Sequence, residues 1–171
     1  GNLYMCGVTY SSNNIATTGA FQSNFMGDND GFIEKFSSSG IRQWGTYYSG
    51  DSSGFIESIA VDNSNNIYAA GHTTSANGIA TSGAHQSTYG GIVDGFIVKF
   101  TSSGTRLWGT YYGGTDDDNI FHICTDASGN FFVTGITLSS NNIVTSGAFQ
   151  TNFSGNTEAF ISKFDTNGGL I

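Results

Sequence analysis

The stretch "DGFIVKFTSSGTRLWGTYYGG" (residues 94–114) decides the fold. It reads as two β-rich runs, DGFIVKF (94–100) and TRLWGTYY (105–112), joined by the turn signal TSSG. That composition is the mark of a hairpin. In the first run Phe96, Val98 and Phe100 share one face and Ile97 lies on the other, so both faces are apolar. A sheet with one solvated face would alternate more cleanly, so this strand is expected between two covering layers.

Working outward, the same phrases recur without gaps at one offset. GFIEKF starts at 31, GFIVKF at 95 and AFISKF at 159, a spacing of 64 residues. NLYMCG (2), NIYAAG (66) and NFFVTG (130) keep it, as do Trp44 and Trp108. The chain holds 171/64, or about 2.7 copies. Each unit carries four strand signals, here A to D. In the middle unit these are FIESIAVD (55–62), NIYAAGHTT (66–74), 94–100 and 105–112. About 20 residues connect B to C, with a single helical turn expected at SGAHQ.

Four antiparallel strands repeated at fixed period predict an all-β chain of β-propeller blades. The expected division is residues 1–48 (strands B–D), 49–112 (a whole blade) and 113–171 (A–C and the start of D). The combined phrase from DGFIVKF through DASGNFFVTG to TSGAFQTNFSG resembles the bacterial SBBP propeller repeat across essentially the whole chain. Departures are the missing proline before TSGAFQ and the Asp116–Asp118 run in a turn usually written with Gly, Ser and Asp. The resemblance implies a secreted or cell-surface bacterial protein, often large and multi-modular. It implies no general activity.

Propellers generally need four to eight blades to close. An uncovered blade face of ~500 Å² would forfeit about 12 kcal/mol at ~25 cal/mol per Å², comparable to a domain's whole stability. Further blades are therefore expected from the same polypeptide or from further copies. Three copies of 171 residues nearly equal eight units of 64, which makes an eight-bladed trimer arithmetically consistent. The start at Gly1 suggests a mature or excised piece.

Composition narrows the partners. Net charge is −8, and the five basic residues occupy two repeat positions: Lys35, Lys99 and Lys163, then Arg42 and Arg106. With no basic patch, nucleic acid and anionic membrane surfaces are disfavoured. No segment approaches the roughly 20 apolar residues of a membrane-spanning helix, so no direct membrane insertion is expected.

The repeat also serves as an internal control on candidate chemistry. His72 stands where Val8 and Ile136 stand, and His122 where Ser58 stands. His85 replaces Phe21 and Phe149, so all three are read as anchors that pack the B–C connection onto its own blade. Cys6 and Cys124 match small residues and are expected as buried free thiols. Asp116, Asp117 and Asp118 are the candidate calcium ligands, with a solvated D–A turn as the leading reading. Asp62 and Asp126 are expected to close Asx-turns. Asp30, Asp94 and Glu158, with Lys35, Lys99 and Lys163, suggest a repeated ion pair or turn cap. Glu57 is the one acidic residue that strand A would direct at a central channel. Trp44 and Trp108 read as inter-blade packing, while Tyr47, Tyr48, Tyr111 and Tyr112 read as core, with sugar stacking as the alternative.

The leading expectation is a non-enzymatic extracellular scaffold whose long B–C connections meet a partner protein, with no catalytic residue and no obligatory cofactor. The alternatives are a lectin-like module that binds surface glycans and a propeller glycosidase or lyase with its site in the channel.

Overall fold

The computed structural model describes residues 1–171 and contains only β-strands, turns and irregular connections. Ten strands appear in order: β1 (Leu3–Thr9), β2 (Asp30–Phe36), β3 (Arg42–Tyr48), β4 (Gly54–Val61), β5 (Ile67–Thr73), β6 (Asp94–Phe100), β7 (Arg106–Tyr112), β8 (Asp118–Thr125), β9 (Phe131–Thr137) and β10 (Glu158–Phe164). They form three antiparallel sheets with orders β1-β2-β3, β4-β5-β6-β7 and β8-β9-β10. The expected helical turn at SGAHQ is absent, because the connection there follows the edge of a sheet.

Turn chemistry closes the hairpins. Asp62 Oδ1 accepts the Ser64 and Asn66 amides at 2.9 and 2.8 Å, and Asp126 repeats this with Ser128 and Asn130. The β6–β7 turn closes through Thr101, whose hydroxyl accepts the Thr105 amide.

Stacking of the sheets makes two cores. The first joins Ile33 and Tyr48 to Ile67, Ala69, Phe96, Val98 and Phe100. The second joins Tyr68, Ala70, Ile97 and Tyr112 to Ile120, Phe131, Val133 and Phe164. The middle sheet is thus apolar on both faces because it is covered on both, and all seven residues of β6 are buried.

The long connections are not free loops. In the middle sheet the Thr81 amide donates to the Gly109 carbonyl and the Tyr111 amide to the Gln86 carbonyl, so residues 81–86 lie along β7. Thr17–Gly45 and Tyr47–Gln22 do the same for β3. An edge strand with open backbone groups invites pairing with other chains; here the connection covers that edge.

Each A–B pairing carries a bulge, between Ile56 and Ser58 in the middle sheet and between Ile120 and His122 in the third. A bulge leaves one residue unpaired and bends the strand. Glu57 and Phe121 are those extra residues, and the bulged backbone presses on Gly71 and Gly135, where a Cβ would collide with the Phe55 and Asn119 carbonyls.

Candidate functional site

The side chains singled out in the sequence fall into two settings, the seams between sheets and the carboxylate clamps beneath the connections. Lys35 extends from the first sheet to donate to the Ser102 carbonyl in the second at 2.7 Å. Trp44 Nε1 donates to the same carbonyl at 3.1 Å, and its ring lies over Gly104. Lys99 repeats the reach to Thr166 in the third sheet at 3.0 Å, passing over the Tyr68 ring, and Trp108 lies over Gly168. The lysines therefore make no ion pair with Asp30, Asp94 or Glu158. The Lys35 and Lys99 ammonium groups instead satisfy a turn carbonyl of the following sheet, and Lys163 rests over the Phe132 ring.

The aromatic position of the connection is likewise a seam residue, not an anchor confined to its own sheet. Phe21 packs on Tyr48 and, edge-on, on Phe100 of the next sheet at 5.8 Å, under the Arg106 guanidinium at 4.4 Å. His85 sits 6.1 Å from Tyr112 and 5.7 Å from Phe164. His85 stays exposed, and the partial desolvation these rings impose holds its imidazole below its ordinary pKa. Phe149, the third member, is fully exposed.

The clamps explain the acidic residue that begins each strand C. Asp30 accepts the Met26 amide and the Gln22 side chain, both at 2.9 Å. Asp94 accepts the Gly90 and Gly91 amides at 2.8 and 3.0 Å and the Gln86 side chain at 3.1 Å. Glu158 accepts the Ser154 amide at 2.8 Å. Each carboxylate pins the end of the connection that precedes it.

The Asp116–Asp118 run does not behave as one solvated turn. Asp118 is fully buried and accepts the Gly114 amide and the Thr137 and Ser139 hydroxyls, while Asp116 and Asp117 stay partly exposed. No group of three or more His, Cys, Asp or Glu side chains converges. Asp118 lies close to Asp94 instead, both within 2.9 Å of where a Gly113 side chain would begin. Burial pushes the Asp94 carboxyl up to about 6, with the Asp118 charge acting the same way, and burial also raises Asp118.

A carboxyl whose pKa is raised by folding stabilises the fold while protonated. That contribution is complete below the unfolded value of 3.8 and is lost as pH rises through about 6. The stability difference between the parent and Asp94→Asn in urea unfolding should accordingly shrink from pH 5 to pH 7; a difference that stays constant or grows over that range would contradict the buried pair.

The same place in the preceding seam is built differently. Ser49 stands where Gly113 stands, and Gly54 where Asp118 stands, so a small residue faces a larger one in both seams with the roles exchanged. Gly113→Ser should then destabilise by about 1–3 kcal/mol through overpacking, and adding Asp118→Gly should recover most of the loss. A double-mutant cycle by chemical unfolding measures this coupling; strict additivity would refute it.

The remaining candidates lie apart. Glu57 is half-exposed on its bulge with the His72 Nδ1 3.8 Å away, and His72 stacks on Phe55. Cys6 is partly buried, its thiol pushed up to about 11 by burial and then by the Glu57 charge. Cys124 is exposed, contrary to the expectation of two buried thiols, because β8 turns that residue away from the seam. Tyr47, Tyr48, Tyr111 and Tyr112 are buried, with hydroxyls on the carbonyls of Ser11, Ile79, Ser75 and Ile143. They present no stacking platform to a sugar.

Repeated antiparallel sheets stacked through equivalent residues define a propeller-like repeat protein. Within it, residues 43–79, from β3 through β5, match the family model of SBBP, described as a beta-propeller repeat. No curated protein matches the chain. Arg42, whose guanidinium ties the Asn14 and Ile15 carbonyls of its connection to Glu34 of the same sheet, was not singled out by sequence reasoning as a group that holds the connection. Its recurrence as Arg106 was the available signal.

Proposed function

We propose that the chain is a non-enzymatic segment of an extracellular bacterial β-propeller, built of 64-residue blades and serving as a scaffold for protein recognition. The observation that supports this reading most is the use made of the buried carboxylates. Asp30 and Asp94 are engaged with the backbone and glutamine side chains of the long connections. Their chemistry holds recognition loops in place. Function in such folds resides in the segments grafted onto the frame.

In the first two sheets part of the connection covers the edge of strand D, which narrows the partner surface to the exposed polar tips, among them Ser11–Asn14, Ser23–Asn24, Ser87–Thr88 and, in the third unit, Thr151–Asn152. A glycosidase would require two carboxyl groups flanking a substrate. Asp94 and Asp118 are both fully buried, and Glu57 has a histidine, not a carboxylate, beside it.

Replacing the exposed tips by Gly-Ser segments of equal length should leave the melting temperature within a few degrees of the parent and abolish binding to the partner protein. Calcium-dependent signal on a glycan array would favour a lectin instead. Hydrolysis of a polysaccharide panel would favour an enzyme.

A further inference from the structure

Two buried carboxylates meet where the end of the second long connection touches the start of the third sheet. Asp94 and Asp118 are both fully buried, and both lie against Gly113. Asp94 holds the connection through the Gly90 and Gly91 amides and the Gln86 side chain. Asp118 is tied to its own sheet by the Thr137 and Ser139 hydroxyls, and its amide donates to the Val93 carbonyl at 2.8 Å. Gly90 and Gly91 press so closely on the Gly114 and Asp116 carbonyls that a Cβ at either would collide.

No cation offsets these two charges. All five basic side chains of the chain are engaged elsewhere. Lys35 and Lys99 reach turn carbonyls of the next sheet and Lys163 rests over Phe132. Arg42 and Arg106 bind the carbonyls of residues 14–15 and 78–79. The groups that do face the pair are acidic or neutral. The connection contributes Tyr89, β7 contributes Tyr111 and Tyr112, and the linker before β8 contributes Asp116 and Asp117. β5 and β9 set Thr73 and Thr137 opposite the two carboxylates. His85, on the same connection, faces Tyr112 and Phe164. Two like charges buried together disfavour the doubly ionised state, and one proton relieves them. The first seam lacks the second acid. Gly54 stands where Asp118 stands, and Asp30 holds the Met26 amide and the Gln22 side chain with no neighbouring carboxylate.

We propose that the Asp94–Asp118 pair is a proton-operated latch: with one shared proton it holds the second connection shut, and with both carboxylates ionised it releases residues 86–93. The connection is the side that yields. Ser87, Thr88, Gly90 and Ile92 are exposed, whereas Asp118 is fixed in the β8–β9 ladder. Release frees the Ser87–Thr88 tip of the middle sheet alone, so pH selects which connection is mobile. The latch goes beyond the recognition reading and needs no partner for its test.

Amide hydrogen exchange on the 171-residue chain, expressed as protection relative to the unstructured rate at each pH, reads the latch directly. The closed state raises the Asp94 carboxyl from 3.8 to about 6, so protection of the Gly90 and Gly91 amides should fall about tenfold between pH 5 and pH 7. The Met26 amide should change less than about threefold over the same range, because Asp30 is raised by burial with no second acid beside it. Asp118→Asn keeps the packing, its side-chain amide donating to the Thr137 hydroxyl, and should reduce the Gly90 and Gly91 response to that of Met26. Should that variant not fold, Gly113→Ser combined with Asp118→Gly gives the second seam the residues of the first and carries the same expectation. Equal responses at Gly90 and Met26, or no response in the parent, would overturn the proposal. An undiminished response in Asp118→Asn would place the titrating group at His85 and overturn it as well.

Discussion

Gly71→Ala is expected to destabilise the chain by more than about 3 kcal/mol, beyond the common cost of overpacking. Gly71 faces the bulge in β4, and a methyl group there would collide with the Phe55 carbonyl carbon and oxygen. No rotamer relieves a backbone contact. β4 and β5 would have to separate, giving up ladder hydrogen bonds beside the fully buried Ala69 and Ala70. Gly135→Ala should match it, since Gly135 meets the Asn119 carbonyl in the same way. Gly7 supplies the control: it occupies the same repeat position, but the first sheet has no strand beyond β1, and its added Cβ would meet only the Phe32 ring at 3.1 Å. Gly7→Ala should cost less than about 1.5 kcal/mol. Equal losses at Gly7 and Gly71 in urea unfolding would contradict the bulge as the cause.

Phe100→Ala carries the second large effect. Phe100 is fully buried in the first seam, edge-on to Tyr48 and Phe21. Truncating a buried phenylalanine typically costs about 3–5 kcal/mol through lost transfer energy and the cavity left behind. Phe36 follows the equivalent lysine but faces outward from the first sheet and is partly exposed, so Phe36→Ala should cost less than about 1 kcal/mol. Denaturant midpoints of the two variants separate these outcomes, and equal losses would contradict a covered Phe100 and an uncovered Phe36.

Much of this architecture was legible in the sequence because its signals are local. The β-rich run DGFIVKF and the TSSG turn placed a strand at 94–100 and its partner at 105–112, and the structure gives Asp94–Phe100 and Arg106–Tyr112. The apolar character of both β6 faces foretold a covered sheet. What stayed hidden were contacts made across seams. A lysine five residues after an aspartate suggests a local pair, yet Lys35 and Lys99 reach 67 residues ahead because the next sheet's turn lies above them. Asp118 reads as one of three adjacent acidic residues in a turn. Only the three-dimensional partners Thr137, Ser139 and Gly114 single it out as buried. Likewise, nothing local in GAFQ distinguishes an anchor within one sheet from a bridge to the next.

The central claim is that equivalent sheets stack in chain order through equivalent residues, and proton NMR tests it most directly. A side chain added at Gly104 would begin 3.1 Å from the Trp44 ring, and one at Gly168 3.4 Å from that of Trp108, whereas one at Gly40 would meet nothing within 4 Å. The stack predicts nuclear Overhauser contacts from the indoles to the α-protons of Gly104 and Gly168, shifted upfield by the rings, with Gly40 unshifted. Three glycines with the same unshifted resonances and no indole contacts would contradict it.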